Sequence, residues 1–212
     1  MKALSVTRFD RAWLPGPWLA RLPQEDFCQA TGTPPHLKYE ADGGPGIDRI
    51  MGVLATSLDP ERDRRVFFLA QLLFWMLRAP DGHAKNFSLS IRAGGHYEFT
   101  PLYDVMSAWP VIGNAPNRIS DHKIELAMAI RSKNAHWKIK DVHRRHWIGL
   151  AGRYGVVGSA GESVETLIDA LIARTPAVIQ QVRHALPPDF PPHLAETILG
   201  GLESAAQQLQ DA

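Results

Sequence analysis

A run of 12 residues without a charged side chain, 66–77, restricts the possible folds of this chain more than any other feature. Its residues are apolar around almost the whole circumference of a helix, which is typical of a helix buried in a protein core. The preceding Asp59-Pro60-Glu61 favours a helix start, because Asp caps helices and Pro suits the first helical position. The run is shorter than the roughly 20 residues of a membrane-spanning helix. We therefore predict a buried helix that ends at about Leu77.

The composition excludes several classes of protein. The chain has 212 residues, 45% apolar and 21% charged, which fits one globular domain and not a disordered, collagen-like or coiled-coil chain. Its formal net charge of +1 provides no overall attraction to nucleic acid or to a membrane. The single cysteine, Cys28, excludes an intramolecular disulfide and a multi-cysteine zinc site. Since the first residues show no export signal, we expect a cytoplasmic location and no membrane contact.

The remaining patterns predict short strands in the first half of the chain and helices in the second. Alternating apolar positions predict a strand over 3–9, and alternation on both sides of a Gly-Gly pair predicts a hairpin with strands 87–91 and 97–100. Between these strands we predict a short helix over 24–30, a turn over 43–46 and a helix that begins at Ile47. The region 120–212 is predicted to be a helical subdomain. Its helices begin at a capping box, Ser159-x-x-Glu162, and at Thr175-Pro176, and a last one covers 194–209. Together they indicate one lobe of the α+β class that is mostly helical.

Three oxygen-bearing side chains around the predicted hairpin are the strongest candidates for chemistry. Asp81 and Asn86 have four residues between them in the loop after the buried helix, and Asp104 follows the hairpin. Phosphoryl transfer needs a carboxylate that orients or deprotonates the attacking hydroxyl and hard oxygen ligands for Mg²⁺. Protein kinases have this D-x-x-x-x-N spacing and a second Asp beyond a hairpin. Singly, each residue is explained as well by turn, strand-start or cap chemistry. Jointly, they favour a kinase-like site.

His83 and Lys85 lie in the same loop. They are candidates to orient Asp81 or to contact phosphate, and a solvated loop explains them as well. The other histidines lack the ligand spacing of a zinc site. No G-x-S-x-G motif supports a serine hydrolase, and the glycines at 43–46 do not match a phosphate-binding loop, so we predict a structural turn there.

A local excess of basic residues between 131 and 146 is a candidate surface for nucleic acid. Such a surface binds phosphates in a salt-dependent way. A solvated helix face explains the same charges, and both interpretations remain open. The candidate DNA contacts are Lys138, Lys140, Arg144 and Arg145.

Five segments closely resemble the HipA family, the serine/threonine kinase toxins of type II toxin–antitoxin systems. The segments are VTRFDR at 6–11, RLPQED at 21–26, KYEADGGPG at 38–46, DGHAKNFS at 81–88 and PLYDV at 101–105. The similarity extends over essentially the whole chain, and several of the strings are long and uncommon. The resemblance implies the carboxy-terminal lobe of a protein-kinase-like fold over 1–212, with a hinge-like strand at 1–11 and a catalytic and metal-binding segment at 81–104.

The resemblance also implies an activity, cofactors and partners. These are ATP and Mg²⁺, transfer of the ATP γ-phosphate to a serine of a translation protein of the aminoacyl-tRNA synthetase class, and inhibition of growth. The implied partners are a helix-turn-helix antitoxin of the HipB type and, through that complex, operator DNA. An alternative expectation is a catalytically inactive lobe that still binds the antitoxin and the operator as a corepressor.

Each candidate residue has a counterpart in the family motifs. By resemblance, Asp81 is the catalytic base, Asn86 and Asp104 are Mg²⁺ ligands, and Thr7-Arg8-Phe9 is the hinge whose backbone meets the adenine. His83 and Lys85 match the motif, with phosphate contact or loop support as their roles. Pro80 departs from the family, whose members commonly carry Thr before this Asp.

An upstream lobe with a phosphate-covering loop, a phosphate-pairing Lys and the autoregulatory serine does not precede the hinge in this sequence, and Lys2 lies too close to the hinge to replace that Lys. We therefore expect a natural truncation, a gene fragment or half of a split protein, whose missing lobe another chain would supply.

Overall fold

A computed structural model describes residues 5–210. Its strands are β1 (Arg11–Leu14), β2 (Trp18–Arg21), β3 (Gln24–Asp26), β4 (Ser88–Ile91), β5 (Tyr97–Phe99), β6 (Glu125–Arg131) and β7 (Ala135–Lys138). Its α-helices are α1 (Phe27–Ala30), α2 (Ile47–Leu54), α3 (Pro60–Met76), α4 (Arg144–Tyr154), α5 (Val164–Ala185) and α6 (Pro192–Gln210). All strand pairings are antiparallel, in the sheets β1-β2, β3-β4-β5 and β6-β7.

Helix α3 forms the centre of the core, as the uncharged run predicts. The Asp59 side chain accepts a hydrogen bond from the Arg62 amide at 3.1 Å, so the predicted cap is confirmed. Phe67, Phe68 and Trp75 of α3 are fully buried, and its neighbours α2, α4, α6 and β5 cover it on several sides. Within residues 5–210, none of the helices combines the length and the apolar character that crossing a bilayer requires.

The small sheet packs on α3 through phenylalanine rings. The predicted hairpin is confirmed as β4 and β5, and β3 adds a third strand to it. Phe67 of α3 contacts Phe87 and Phe99 with ring centroids 5.2 and 5.9 Å apart. The helix predicted over 24–30 is shorter than expected, because the segment begins as β3 and Asp26 then caps α1. The sheet thereby fixes both ends of the hairpin that separates Asn86 from Asp104.

The turn predicted at 43–46 is confirmed, and its glycines are required. Gly43 has a left-handed φ of +92° and ends a short 3₁₀ helix. A Cβ on Gly44 would lie 2.1 Å from the Leu37 carbonyl oxygen, and one on Gly46 would lie 2.3 Å from the Glu40 carboxyl carbon. The Glu40 carboxylate accepts a hydrogen bond from the Ala129 amide at 2.7 Å, so this turn docks on β6.

Two predictions, one in each half of the chain, are wrong. Residues 5–9 of the predicted strand are not extended in a sheet, and residues 3 and 4 lie outside the described part. The region 120–212 is not helical throughout, since it begins with β6 and β7. Residues 126–130 of β6 are all buried, and a continuous apolar run of this kind does not distinguish strand from helix.

Helix α5 differs from its prediction at its N-cap and at Pro176. Its cap is Ser163, whose hydroxyl accepts from the Thr166 amide, and not Ser159. Glu162 instead closes a turn by accepting from the Ala160 amide at 2.7 Å. Pro176 lies inside the helix rather than at the start of another. The last predicted helix is confirmed as α6.

Candidate functional site

The loop that carries Asp81 leaves α3 through a tight turn. The Ala79 amide donates to the Phe74 carbonyl at 2.8 Å, and Arg78 adopts a left-handed φ of +53°. Gly82 packs directly on α3: a Cβ added at this position would lie only 2.4 Å from Cδ1 of Phe74. Gly82 is therefore required for the close packing between this loop and α3.

Asp81 is half-buried and has two neutral partners. The Tyr39 hydroxyl donates a hydrogen bond to Oδ1 of Asp81, and Nε2 of His83 lies 3.5 Å from the same oxygen. The hydrogen bond to Asp81 raises the pKa of Tyr39 to about 12. Burial lowers the pKa of His83 from its ordinary 6.5, so the ring is uncharged at neutral pH. The carboxylate is thus oriented by neutral groups, an arrangement that suits a proton acceptor.

Asn86 and Asp104 are in direct contact. The Asn86 amide nitrogen donates to Oδ2 of Asp104 at 2.9 Å, and its amide oxygen accepts from the His83 backbone amide at 3.2 Å. These two partners fix the orientation of the amide group, because a carboxylate accepts and a backbone N–H donates. Asp104 has a left-handed φ of +55°, an uncommon conformation that is typical of functional sites.

The residue before Asp104 anchors that strained position. The Tyr103 hydroxyl donates to the Lys85 carbonyl at 2.7 Å and lies 2.5 Å from the Ser88 hydroxyl oxygen. Burial raises the pKa of Tyr103 to about 12, so its hydroxyl stays protonated. Tyr103 therefore holds the chain after the hairpin against the loop that bears Asn86.

The oxygen atoms of this pair fit a divalent cation that is also bound by phosphate. The exposed Asp104 offers its carboxylate oxygens, and the Asn86 amide oxygen, which accepts one hydrogen bond from the His83 amide, keeps a second lone pair for a cation. Among residues 5–210, no group of three or more His, Cys, Asp or Glu side chains forms a metal site by itself. Mg²⁺ usually takes one or two protein carboxylates together with substrate phosphates and water, and that donor set is compatible with this pair.

Two cavities meet at Asp104. The first, the amino-terminal cavity, has a volume of about 370 Å³ and is lined by 6–10, Gln24 and 101–104. The second, the loop pocket, has a volume of about 210 Å³. Asp81 lines the loop pocket, and Asp104 lines both. The full lining of the loop pocket is Phe74, Ala79, Pro80, Asp81, Asp104, Met106, Ser107, Ala108, Val111 and Ile119.

The hinge candidates Thr7, Arg8 and Phe9 line the amino-terminal cavity, although they form no strand. The Phe9 ring lies 5.9 Å from that of Tyr103 between centroids. The Arg8 guanidinium donates two hydrogen bonds to the buried Asp10, which lower the pKa of Asp10 to about 2. Since the Arg8 side chain is committed to Asp10, the backbone, the exposed Thr7 side chain and the Phe9 ring are the groups of these three residues left to meet a ligand.

His83 and Lys85 both support the loop. His83 is buried under the Tyr39 ring, with centroids 5.1 Å apart. Lys85 donates from Nζ to Asp26 at 2.8 Å, which raises the pKa of Lys85 and ties the loop to the cap of α1. This contact is compatible with loop support, one of the two roles expected for Lys85, and the role itself stays a prediction.

The basic candidates between 131 and 146 do not share one helix face, since they follow each other through β6, β7, a 3₁₀ turn and α4. Arg144 is 16% exposed and pairs with Asp169 at 2.6 Å. Nζ of Lys140 lies 2.7 Å from a ring nitrogen of His122. The exposed residues of the set, free of such contacts, are Lys138 and Arg145.

Sequence reasoning missed the two tyrosines of the site. Tyr39 contacts Asp81 across 42 positions of sequence, and no spacing rule connects residues so far apart. Both tyrosines lie in segments that carry the family resemblance, Tyr39 in 38–46 and Tyr103 in 101–105, and this is the signal that could have found them.

Comparisons with known proteins show which family and which fold this chain resembles. The model of the family "HipA-like C-terminal domain" matches residues 1–179. A curated protein of Sinorhizobium fredii (strain NBRC 101917 / NGR234), named "Putative kinase Y4mE", is 36% identical over 105 residues, which are 49% of this chain and 25% of that protein.

A solved structure of a toxin–antitoxin complex shares the fold. It is the HipA, HipB and operator DNA complex of the Shewanella oneidensis MR-1 toxin–antitoxin system, and its matching chain has a TM-score of 0.75 and 22% identity. The match covers 96% of this chain and 48% of that one, so this chain spans about half the length of its structural relative. The predicted α+β fold class is confirmed.

Proposed function

The chain belongs to the family of HipA-like C-terminal domains, which confirms the resemblance, and from this premise we propose that it carries the catalytic site of a serine/threonine protein kinase of the HipA type. One observation carries the proposal. Asp104, hydrogen-bonded to Asn86, lies between a cavity at the hinge candidates and a pocket at Asp81. A nucleotide in the amino-terminal cavity would have its phosphates directed past the metal-ligand pair toward the base.

In this proposal, Asn86 and Asp104 hold Mg²⁺ and Asp81 takes the proton. Mg²⁺, when bound, neutralises charge on the β- and γ-phosphates. The acceptor hydroxyl gives its proton to the Asp81 carboxylate while its oxygen bonds to the γ-phosphorus. The bond between that phosphorus and the β–γ bridging oxygen breaks, and ADP leaves with the electron pair.

Tyr39 and His83 serve this step by position. The Tyr39 hydroxyl stays protonated across the neutral range, since its pKa is raised to about 12, and so keeps donating to Asp81. The uncharged His83 packs beside both groups without neutralising the carboxylate. Holding a catalytic group in one orientation removes part of the entropic cost of the reaction.

Isothermal titration calorimetry of Mg·ATP into this chain tests the site. We expect saturable binding that requires Mg²⁺ and that Asp104→Ala abolishes. Asp141→Ala, at an exposed carboxylate away from both cavities, is the matched control and should bind as the parent does. Equal binding by the parent and Asp104→Ala would contradict the assignment.

The solved relative supports a second proposal, on partners. Its structure contains HipB and operator DNA, and we propose a HipB-like helix-turn-helix antitoxin and operator DNA as partners here. Lys138 and Arg145 are the exposed basic candidates for contacts with DNA phosphates. An electrophoretic shift with antitoxin and operator should weaken in Lys138→Glu/Arg145→Glu. An unchanged shift would argue against this surface. The same complex would form if the lobe acts only as a corepressor, the alternative that absence of Mg·ATP binding would favour.

The protein substrate and the separately encoded upstream lobe stay predictions from the resemblance. A serine of a translation protein as the acceptor, and a second chain that completes the nucleotide site, are both addressed by repeating the calorimetry and a phosphorylation assay with the candidate lobe added.

A further inference from the structure

The loop pocket beside Asp81 has no role in nucleotide binding as proposed above. It shares Asp104 with the amino-terminal cavity, but its other walls come from the end of α3, the loop that bears Asp81 and residues 106–119. A pocket that touches the proposed base and lies beyond the metal-ligand pair is on the side from which an acceptor would approach.

The walls of the loop pocket are almost entirely carbon. Apart from Asp81 and Asp104, the one polar side chain among its lining residues is Ser107, and its hydroxyl already donates to the Leu77 carbonyl at 2.9 Å. No basic side chain lines it. Two carboxylates at the margin therefore disfavour an acidic group, and the remaining walls favour an apolar one.

Large apolar side chains around the pocket are left in water. Met106 is 55% exposed, Val111 46% and Ile119 42%. Burial in the core therefore does not explain their apolar character. Contiguous exposed apolar residues commonly mark a binding surface, and here they border the proposed base.

The outer wall of the pocket is held in place before any ligand arrives. The Ala108 amide donates to the Leu77 carbonyl at 3.3 Å, and Nε1 of Trp109 donates to the Met76 carbonyl at 2.9 Å. The Ile119 amide donates to the Val111 carbonyl at 2.8 Å, which closes the segment on itself. A preorganised pocket binds with a smaller entropic cost than one that must form.

We propose that the loop pocket binds a large apolar side chain of the protein substrate, next to the serine or threonine that receives the phosphate. This inference rests on the proposed kinase function. The volume of about 210 Å³ is below the roughly 300–1,000 Å³ of small-molecule sites, and it suits one side chain of the size of leucine, methionine or phenylalanine. The acceptor segment is thus selected by an apolar neighbour of its hydroxyl and not by a charged one.

Fluorescence anisotropy with three labelled nine-residue peptides tests the proposal. Each peptide has one central serine, flanked on both sides by leucine, by alanine or by glutamate. We expect the leucine peptide to bind the chain at least about tenfold more tightly than the other two, since even single methylenes in such pockets give about tenfold discrimination. Equal binding of the three peptides would overturn the proposal.

Two sets of variants locate the preference. Met106→Ser/Val111→Ser changes side chains that are half exposed, so the fold should be kept, and the leucine preference should disappear. Val178→Ser, at an exposed position of α5 remote from the pocket, should keep it. A preference that persists in the double variant would place it elsewhere and overturn the pocket assignment.

Titration of the same samples with Mg·ATP reports separately on the proposed function. A parent chain that binds Mg·ATP but discriminates among no peptides refutes the pocket alone. If the parent chain discriminates among the peptides through the loop pocket but binds no Mg·ATP, the catalytic-site assignment is refuted. The pocket is then a binding site for an apolar peptide segment.

Discussion

Gly82 shows how closely one residue of the candidate site is tied to the core. A Cβ at this position would lie 2.4 Å from the Phe74 ring, so either the ring or the loop must move. We expect Gly82→Ala to lower the free energy of unfolding by about 1–3 kcal/mol, as overpacking does. It should also weaken Mg·ATP binding, because Asp81 and Asn86 move with the loop. Urea unfolding and calorimetry measure the two effects.

Gly52 provides the matched control in the exposed interior of α2. A Cβ there meets no atom within 4 Å. Alanine is a better helix former than glycine by roughly 0.5–1 kcal/mol. Gly52→Ala should therefore stabilise the chain by about that amount and leave nucleotide binding as it is. A destabilising Gly52→Ala or a neutral Gly82→Ala would contradict the packing described for these positions.

Asp10 makes the free energy of unfolding depend on pH in the acidic range. Its pKa is lowered from 3.8 to about 2, chiefly by the hydrogen bonds from Arg8. A carboxyl that ionises more readily in the folded chain stabilises it above the unfolded pKa, and the contribution is lost as the pH falls toward 2. Because Arg8 is 60% exposed and water screens the pair, we expect about 1 kcal/mol. Asp10→Asn should cost that amount at pH 7, and the difference should shrink between about pH 5 and pH 2.

Urea unfolding at several pH values measures this difference. Asp141→Asn, at an exposed carboxylate, is the control and should stay close to the parent at every pH. If the cost of Asp10→Asn were the same at pH 7 and pH 3, the ion pair would not be its origin.

Among the elements, α5 carries an internal proline. Pro176 cannot donate to the carbonyl four residues earlier, and proline in a helix interior is about 3 kcal/mol less favourable than alanine. The side chain is exposed, so alanine removes little packing. We expect Pro176→Ala to raise the free energy of unfolding by only about 1 kcal/mol, because the packing around α5 already accommodates the proline.

Thermal unfolding of Pro176→Ala tests this expectation, and a substitution at the neighbouring Ala177 is the control. Ala177→Gly should lower stability by about 1 kcal/mol if this turn of α5 is helical in solution. A loss of stability in Pro176→Ala would instead show that the packing of α5 on α6 requires the proline.

Elements with local signals were predictable, and the others were not. Helix α2 has periodic apolar residues, α3 has a long uncharged run and a capped start, and β4 and β5 alternate around glycines. The strand β6 carries no alternation, since both of its faces are buried. Pro176 gave a false start signal, because a helix tolerates proline where tertiary packing compensates for it.

The candidate site was predictable to the extent that its residues are close in sequence. Asp81, Asn86 and Asp104 follow from their spacing around one hairpin, and the contact between Asn86 and Asp104 supports grouping them. Tyr39 was missed because it reaches Asp81 from a separate segment that precedes α2 and α3. Contacts of that kind depend on the tertiary fold and leave no local pattern.

On the scale of the whole molecule, the site joins a loosely packed segment to a dense core. Between residues 5 and 22, Asp10 is the one buried residue, and Trp13 and Trp18 of the first hairpin are 73% and 69% exposed. Helix α3, in contrast, has fully buried side chains along most of its length. Isolated two-stranded hairpins are marginally stable, so the segment 5–22 should open far more often than α3.

Hydrogen exchange measured by mass spectrometry tests both this contrast and the proposed nucleotide site. Without ligand, amides of 5–22 should exchange fastest and those of α3 slowest. Mg·ATP should slow exchange at 6–10 and at 81–86, because the proposed nucleotide bridges the amino-terminal cavity and the metal-ligand pair. In the Asp104→Ala variant, the difference in exchange between 5–22 and α3 should remain, and the protection by Mg·ATP should be lost. Protection confined to α5 and α6, or protection by ATP that needs neither Mg²⁺ nor Asp104, would place the nucleotide elsewhere on the molecule.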